Sequence, residues 1–306
     1  MPAVLSAPAI SRSRVVLDRR LPLDQLSTVL VVMGGEFADL LELAPALSAL
    51  HGAMPPDGKI DLLGSPGGSL AKGLLWQVRG MLVLQPSWRS GSSTKDSRRA
   101  AWREHALINT IAERDYDAMI VFTGPGQSPW PAAHVGLLAG IPIRVVRSTE
   151  QGGGVATHQV PLSLGDEPVS IQHLRLLAAL GVPAGPRLPA IRIPDQARMV
   201  VQALLADLDE QLSVVAVPAD HGPDRPEQLL DRVRGPMVLV PAMAGSGDDS
   251  AWRELRQHAL SRGVPVLPAL GVAELAALFA LAGAVYAADR TSAALATAVG
   301  TRAVLV

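Results

Sequence analysis

Cysteine is absent from this sequence. Disulfides and thiolate metal sites are thereby excluded, and the composition fits a reducing compartment, so a cytoplasmic location is expected. Lysine is scarce: only Lys59, Lys72 and Lys95 occur, and arginine carries most of the positive charge. Aromatic residues make up 3% of the chain, so Leu, Val and Ala must build any core. Neither sign of charge dominates, and the formal net charge is −1. A general nucleic-acid binder needs a basic surface to neutralise phosphates, so no nucleic-acid partner is expected. The longest uncharged apolar run, Leu275 to Ala288, is too short to span a bilayer as a helix. The amino terminus, MPAVLSAPAISRSR, places its arginines after its apolar part, the reverse of a secretory signal. No transmembrane segment is therefore expected, although peripheral contact with a membrane is compatible with the sequence. Three motifs are also missing. Without G-x-G-x-x-G there is no dinucleotide fingerprint, without G-x-S-x-G no hydrolase nucleophile elbow, and without H-x-x-x-H no helical metal pair.

What remains is a chain of 306 residues, 48% apolar. At roughly 150 residues per domain, two domains are expected. Short β-branched runs alternate with longer Leu- and Ala-rich stretches. STVLVVMG predicts a strand, and FADLLELAPALSALHG a helix that Pro45 kinks or restarts. KIDLLGS, GMLVLQP, YDAMIVFTG and IPIRVVRS predict further strands. GSLAKGLLWQVR, TKDSRRAAWREHALINTIAERD (capped by Thr94) and SPWPAAHVGLLAG predict the intervening helices. STEQGGGVATHQVPLSLGDEPVS is polar and glycine-rich and predicts a loop. The helix SIQHLRLLAALG and a proline-rich stretch follow. Alternation resumes at SVVAVPA and continues through PMVLVPA, VPVLPAL and AVYAADR to RAVLV, with helices between. The expected organisation is an N-terminal domain over 1–182, a linker with its own helix over 183–212, and a shorter C-terminal domain over 213–306. Strand–helix alternation implies parallel sheets with helices on both faces.

In open parallel sheets, ligands bind beyond the carboxyl ends of the strands. Asp39 lies just past the first strand of the first half, and Asp289 just past a late strand of the second. Both are expected to face one cleft between the halves.

Four segments then occur in a telling order: ADLLELAPALSAL; YDAMIVFTG with LLAGIPIRVV; SIQHLRLLAALGVP; and AADRTSAALATAVGTRAVLV. In that order they resemble glycosyltransferase family 9, the bacterial heptosyltransferases of lipopolysaccharide synthesis. The resemblance covers most of the chain. It implies a GT-B-like α/β fold, two Rossmann-like domains whose parallel sheets face each other across a cleft. It further implies an inverting transfer of a heptose or related sugar. The donor would be a nucleotide-diphosphate sugar bound by the second domain, and the acceptor a hydroxyl compound, often anionic, bound by the first. No metal and no cofactor are implied. In the family, the acid after the first strand is the general base, and Asp39 matches it. Such a base must lie within hydrogen-bond reach of the hydroxyl it deprotonates. Ser246, Asp289, Arg290, Thr291 and Ser292 match the donor side.

The departures are specific. Ala38 stands where the family has Gly, Arg290 and Thr291 replace Thr-Gly, and Ala294 replaces His. Arg290 is a candidate substitute for the lost phosphate contacts, since guanidinium pairs well with phosphate. Arg225, in DHGPDRP, is a looser candidate for a donor-side cation. Family members usually continue beyond the final RAVLV strand, so a shortened variant or a non-standard donor site is expected. A non-catalytic relative acting as a binding or scaffold protein is the competing class, and a nucleotide-sugar epimerase is a third.

Each candidate also has a structural reading. Asp39 suits a helix start through the macrodipole alone. Asp289 suits an N-cap. Arg98, Arg99 and Arg103 either meet an anionic acceptor or form a solvated helix face. Trp130 either stacks on a sugar or packs a loop. The EQGGG run (Glu150 to Gly154) is a flexible loop or a lid. His173 matches a family histidine, whereas His221 follows the first strand of the second half, from which it either reaches the donor or, the favoured reading, sits on the surface.

Overall fold

The computed structural model describes residues 20–83, 97–124, 126–161, 167–183, 190–206, 212–218, 230–242 and 250–306. The first sheet contains β1 (Thr28–Met33), β2 (Lys59–Gly64), β3 (Val78–Val83), β4 (Ala118–Phe122), β5 (Ile143–Arg147) and β6 (His158–Val160). Every pairing is parallel, in the order β3-β2-β1-β4-β5-β6. Register aligns Val31 with Leu62 on one side and with Ile120 on the other. The second sheet holds β7 (Ser213–Val217), β8 (Met237–Pro241), β9 (Ala284–Ala287) and β10 (Ala303–Leu305), also parallel, in the order β10-β9-β7-β8. The expected pair of separate parallel sheets is present.

The helices are α1 (Phe37–Ala53), α2 (Ser97–Ala112), α3 (Trp130–Leu138), α4 (Val169–Ala179), α5 (Asp195–Leu204), α6 (Ser250–Ser261), α7 (Val272–Leu281) and α8 (Arg290–Ala298). Helix α1 is apolar on almost every side because it is packed from almost every side. It lies under the first sheet and against both α4 and α8. Its incompletely buried positions include Asp39, Glu42, Pro45 and Ala49, spaced three or four apart and so on one face. That enclosure explains why α1 runs unbroken through Pro45, against the expected kink. A helix-interior proline costs about 3 kcal/mol, and burial of ten α1 side chains outweighs it.

Three further expectations are corrected. GSLAKGLLWQVR forms only a 3-10 helix, Gly67–Gly73. Here the chain approaches α1 too closely for a side chain: a Cβ on Gly68 would lie 2.7 Å from Leu40 Cδ1 and 3.2 Å from the Gly35 carbonyl. Part of the expected glycine-rich loop is strand β6, which completes the sheet edge. Its polar composition hid it, and its backbone groups are satisfied by pairing with β5. VPVLPAL makes only an isolated bridge, Leu239 to Val266, because Pro265 and Pro268 interrupt any ladder. Thr94 and the first part of the expected helix RPEQLLDRVRG, residues 225–229, lie outside the described residues.

The apolar core is continuous between the halves. One cluster runs from β1 and α1 through Leu176, Ile191, Ile193 and Val201 to Leu275, Phe279, Val285 and Leu295. The outer face of each sheet carries its own cluster. On β2, fully buried Asp61 accepts hydrogen bonds from Arg79 Nε (2.9 Å) and Nη2 (2.6 Å), Arg114 Nη1 (3.2 Å) and Tyr116 Oη (2.7 Å). Burial pushes its carboxyl up, and these donors overcome that and hold it below the ordinary value.

Candidate active site

In each sheet the strand order reverses beside its first strand. The crevice of the first sheet lies between β1 and β4, and that of the second between β7 and β9. Ligand sites in open α/β sheets form at such switch points. Asp39 lies in the first turn of α1, directly after β1. Asp289 is the N-cap of α8, directly after β9. Helices α1 and α8 pack against each other, so the two switch points meet.

The turn into α1 is held from both ends. The Ser65 hydroxyl donates to the Gly35 carbonyl at 2.6 Å, and the Gly68 N–H donates back to Ser65 Oγ at 3.1 Å. The Glu36 N–H donates to Asp39 Oδ2 at 2.7 Å, which fixes the carboxylate at the helix entrance. The other oxygen of Asp39 is also engaged. Arg290 Nη2 lies 2.8 Å from Asp39 Oδ1 and 2.9 Å from Glu42 Oε2. The acid expected as base and the arginine expected on the donor side therefore meet in one ion pair. Glu42 was not foreseen. Its spacing from Asp39, three residues along the helix, was the available signal. Burial pulls the Arg290 guanidinium down, and the two carboxylates outweigh that and raise it.

On α8, Asp289 caps the helix. Its Oδ1 accepts from the Ser292 N–H at 2.8 Å and its Oδ2 from the Ser292 hydroxyl at 2.6 Å. The cap reading of Asp289 therefore holds. Ser292 is buried, and its hydroxyl is committed to that cap. Thr291 is half-buried in the same turn. With Asp289 closing the turn below them, the Arg290 and Thr291 main-chain N–H groups are the ones α8 has left for an anion. Ser246, Arg225 and His221 lie outside the described residues.

His173 sits on α4 against α1, with its ring edge-on to Phe122 at 5.0 Å. It is buried, and the backbone groups of Glu42 and Thr123 beside its ring do not reach good hydrogen-bond geometry. Burial first, and the positive charge of Arg147 second, push it down to about 4. It is a neutral residue of the core between α4, α1 and the end of β4.

The remaining candidates are not part of this cluster. Arg98, Arg99 and Arg103 are exposed on α2, and among the described residues none bonds to Asp39, Glu42 or Arg290. Trp130 packs a loop. Its Nε1 donates to Glu150 Oε2 at 3.1 Å, and its ring covers Gly152 so closely that a Cβ there would lie 2.0 Å from Cζ3. The glycine run is thus partly a seat for Trp130. Arg144, not a sequence candidate, ties the neighbouring loop to β5 by donating to the carbonyls of Ile141 and Val155. Among the described residues, no three His, Asp or Glu side chains gather as a metal set, and no helix is long and apolar enough to cross a membrane.

No protein-family model and no curated protein matches this sequence. Solved structures do. A glycosyl transferase family 9 protein from Veillonella parvula DSM 2008 superposes with a TM-score of 0.67 at 15% identity, covering 94% of this chain and 82% of its own. The E. coli heptosyltransferase WaaC with ADP gives 0.60 at 18% identity, covering 90% and 86%. The UDP-GlcNAc 2-epimerase from Methanocaldococcus jannaschii gives 0.50 at 11% identity, covering 90% and 82%. The chain therefore has the GT-B fold, in the form seen in glycosyltransferase family 9 structures.

Proposed function

We propose that this protein is an inverting glycosyltransferase that moves a sugar from a nucleotide-diphosphate donor to a hydroxyl acceptor. The observation that carries the reading is the meeting of Asp39 with the first turn of α8, a carboxylate facing a helix N-terminus and a guanidinium. In this reading, Asp39 takes the proton from the acceptor hydroxyl as its oxygen attacks the anomeric carbon. The bond from that carbon to the donor phosphate breaks, and its electron pair leaves with the nucleoside diphosphate. The Arg290 and Thr291 N–H groups and the Arg290 guanidinium meet the charge that develops there. Attack and departure occur on opposite faces of the sugar, which gives inversion. The acceptor side falls to the first half, and the sugar is a heptose or a related one.

A second reading has its own support. Both oxygens of Asp39 and the hydroxyl of Ser292 are engaged within the protein, and the family's Gly and His are replaced by Thr291 and Ala294. A non-catalytic relative that binds a ligand or a partner would look the same.

Titration calorimetry with ADP-, GDP-, UDP- and dTDP-sugars separates the two. Micromolar to millimolar binding of one nucleotide class, followed by release of its diphosphate in the presence of an acceptor, is the expected result. Silence across the panel overturns the transferase.

A further inference from the structure

Arg290 cannot serve the base and the leaving group at the same time. An inverting displacement keeps the two on opposite faces of a sugar ring, and carboxylate pairs that work this way stand about 6.5–9.5 Å apart in inverting glycosidases. Here the guanidinium touches Asp39 at 2.8 Å, so the sugar's place is closed. The contact is also not a deep structural one. The Arg290 side chain is 57% exposed, and those of Asp39 and Glu42 are 16% and 24% exposed. Ion pairs of that exposure are weak and easily exchanged. A diphosphate offers Arg290 more charge and a bidentate partner. It would also lie at the α8 N-terminus, from which Arg290 itself projects.

We infer that Glu42, Asp39 and Arg290 form a donor-operated latch in which the nucleotide diphosphate draws Arg290 off the two carboxylates and thereby frees Asp39 to act. Glu42 is then a positioning residue. It holds Arg290 over the base while the donor site is empty, so that Asp39 is not free to take a proton before the donor is in place. The donor binds first, because only the donor opens the base. This inference rests on the transferase reading, and its test separates the two.

Because the acids and the diphosphate compete for one guanidinium, weakening one hold must strengthen the other. The affinities of ADP, UDP, GDP and dTDP are measured by calorimetry for four proteins: wild type, Glu42→Gln, Arg290→Ala and the double variant. Glu42→Gln is expected to tighten the bound nucleotide about 2- to 5-fold, the worth of one exposed pair. Arg290→Ala is expected to weaken it tenfold or more. The decisive comparison is the double variant, in which the gain from Glu42→Gln should vanish. Binding seen only in Glu42→Gln, and lost again in the double variant, also supports the latch. If Glu42→Gln tightens binding equally with and without Arg290, the effect is general charge repulsion and the latch is wrong. If Glu42→Gln changes nothing in a protein that binds nucleotide, the latch is wrong and the donor site stands. If none of the four proteins binds any nucleotide, the latch and the donor site fall together.

Discussion

If the proposed transfer holds, Asp39 has two jobs that a single substitution separates. As a helix residue it receives the Glu36 N–H at 2.7 Å, and as a base it must accept a proton. Asp39→Asn keeps an oxygen for the first task and loses the second. Turnover is expected to fall by a factor of ~10² or more, the usual contribution of a positioned base. The melting temperature should move little, since the macrodipole and the exposed ion pair are each worth about 1 kcal/mol or less. Steady-state kinetics beside a thermal melt reads both, and full turnover in the Asn variant would leave Asp39 a helix-start residue only. Part of this was legible locally. The apolar run of β1, the Gly34-Gly35 turn and an acid in the next helical turn are all within about ten residues. The partner of Asp39 was not legible, because Arg290 lies 251 positions away and no local pattern pairs them.

Elements in this fold are shaped by close approach more than by propensity. The glycine run before β6 shows it. Gly152 lies beneath the Trp130 ring with no room for a methyl group, while Gly73, in the 3-10 helix, has nothing within 4 Å of where a Cβ would stand. Gly152→Ala must displace the rigid indole and is expected to cost about 1–3 kcal/mol, as overpacking does. It should also break the Trp130–Glu150 hydrogen bond. Gly73→Ala should be neutral or slightly stabilising, by about 0.4–1 kcal/mol, because it restricts only the unfolded chain. Urea unfolding of both variants, followed by tryptophan fluorescence, checks the contrast. The glycines read from sequence as flexibility, and only the packed structure tells the seat of a tryptophan from an open turn. The 3-10 helix was missed for the same reason: its Leu and Ala residues score as α-helix, but Gly68 lies against Leu40 and the Gly35 carbonyl.

For the molecule as a whole, acid is expected to act in two separate windows. His173 is held neutral down to about 4, against 6.5 for a free histidine. Between those values the unfolded chain takes up a proton that the folded chain refuses. Stability is therefore full above pH 6.5 and falls as the pH drops toward 4, by about 3 kcal/mol. His158, also lowered by burial, adds to the same window. Asp61 acts below it. Its folded value lies under the ordinary 3.8, so its contribution is present above 3.8 and is lost as the pH falls further. Urea midpoints from pH 7 to pH 3, for wild type and His173→Leu, test the first window: the variant should lose most of the slope between 6.5 and 4. An unchanged slope would mean that His173 is not the group responsible. By itself, the sequence determined the fold class and the strand–helix order. It also placed an acid at the mouth of each half, because periodicity, turns and caps are local properties of the chain. Only the tertiary structure decided that α1 is enclosed on nearly all sides and so survives Pro45, that His173 is buried, and that Arg290 reaches across to Asp39 and Glu42. Those outcomes depend on which surfaces meet when two sheets pack about a shared core, and no window of neighbouring residues contains that information.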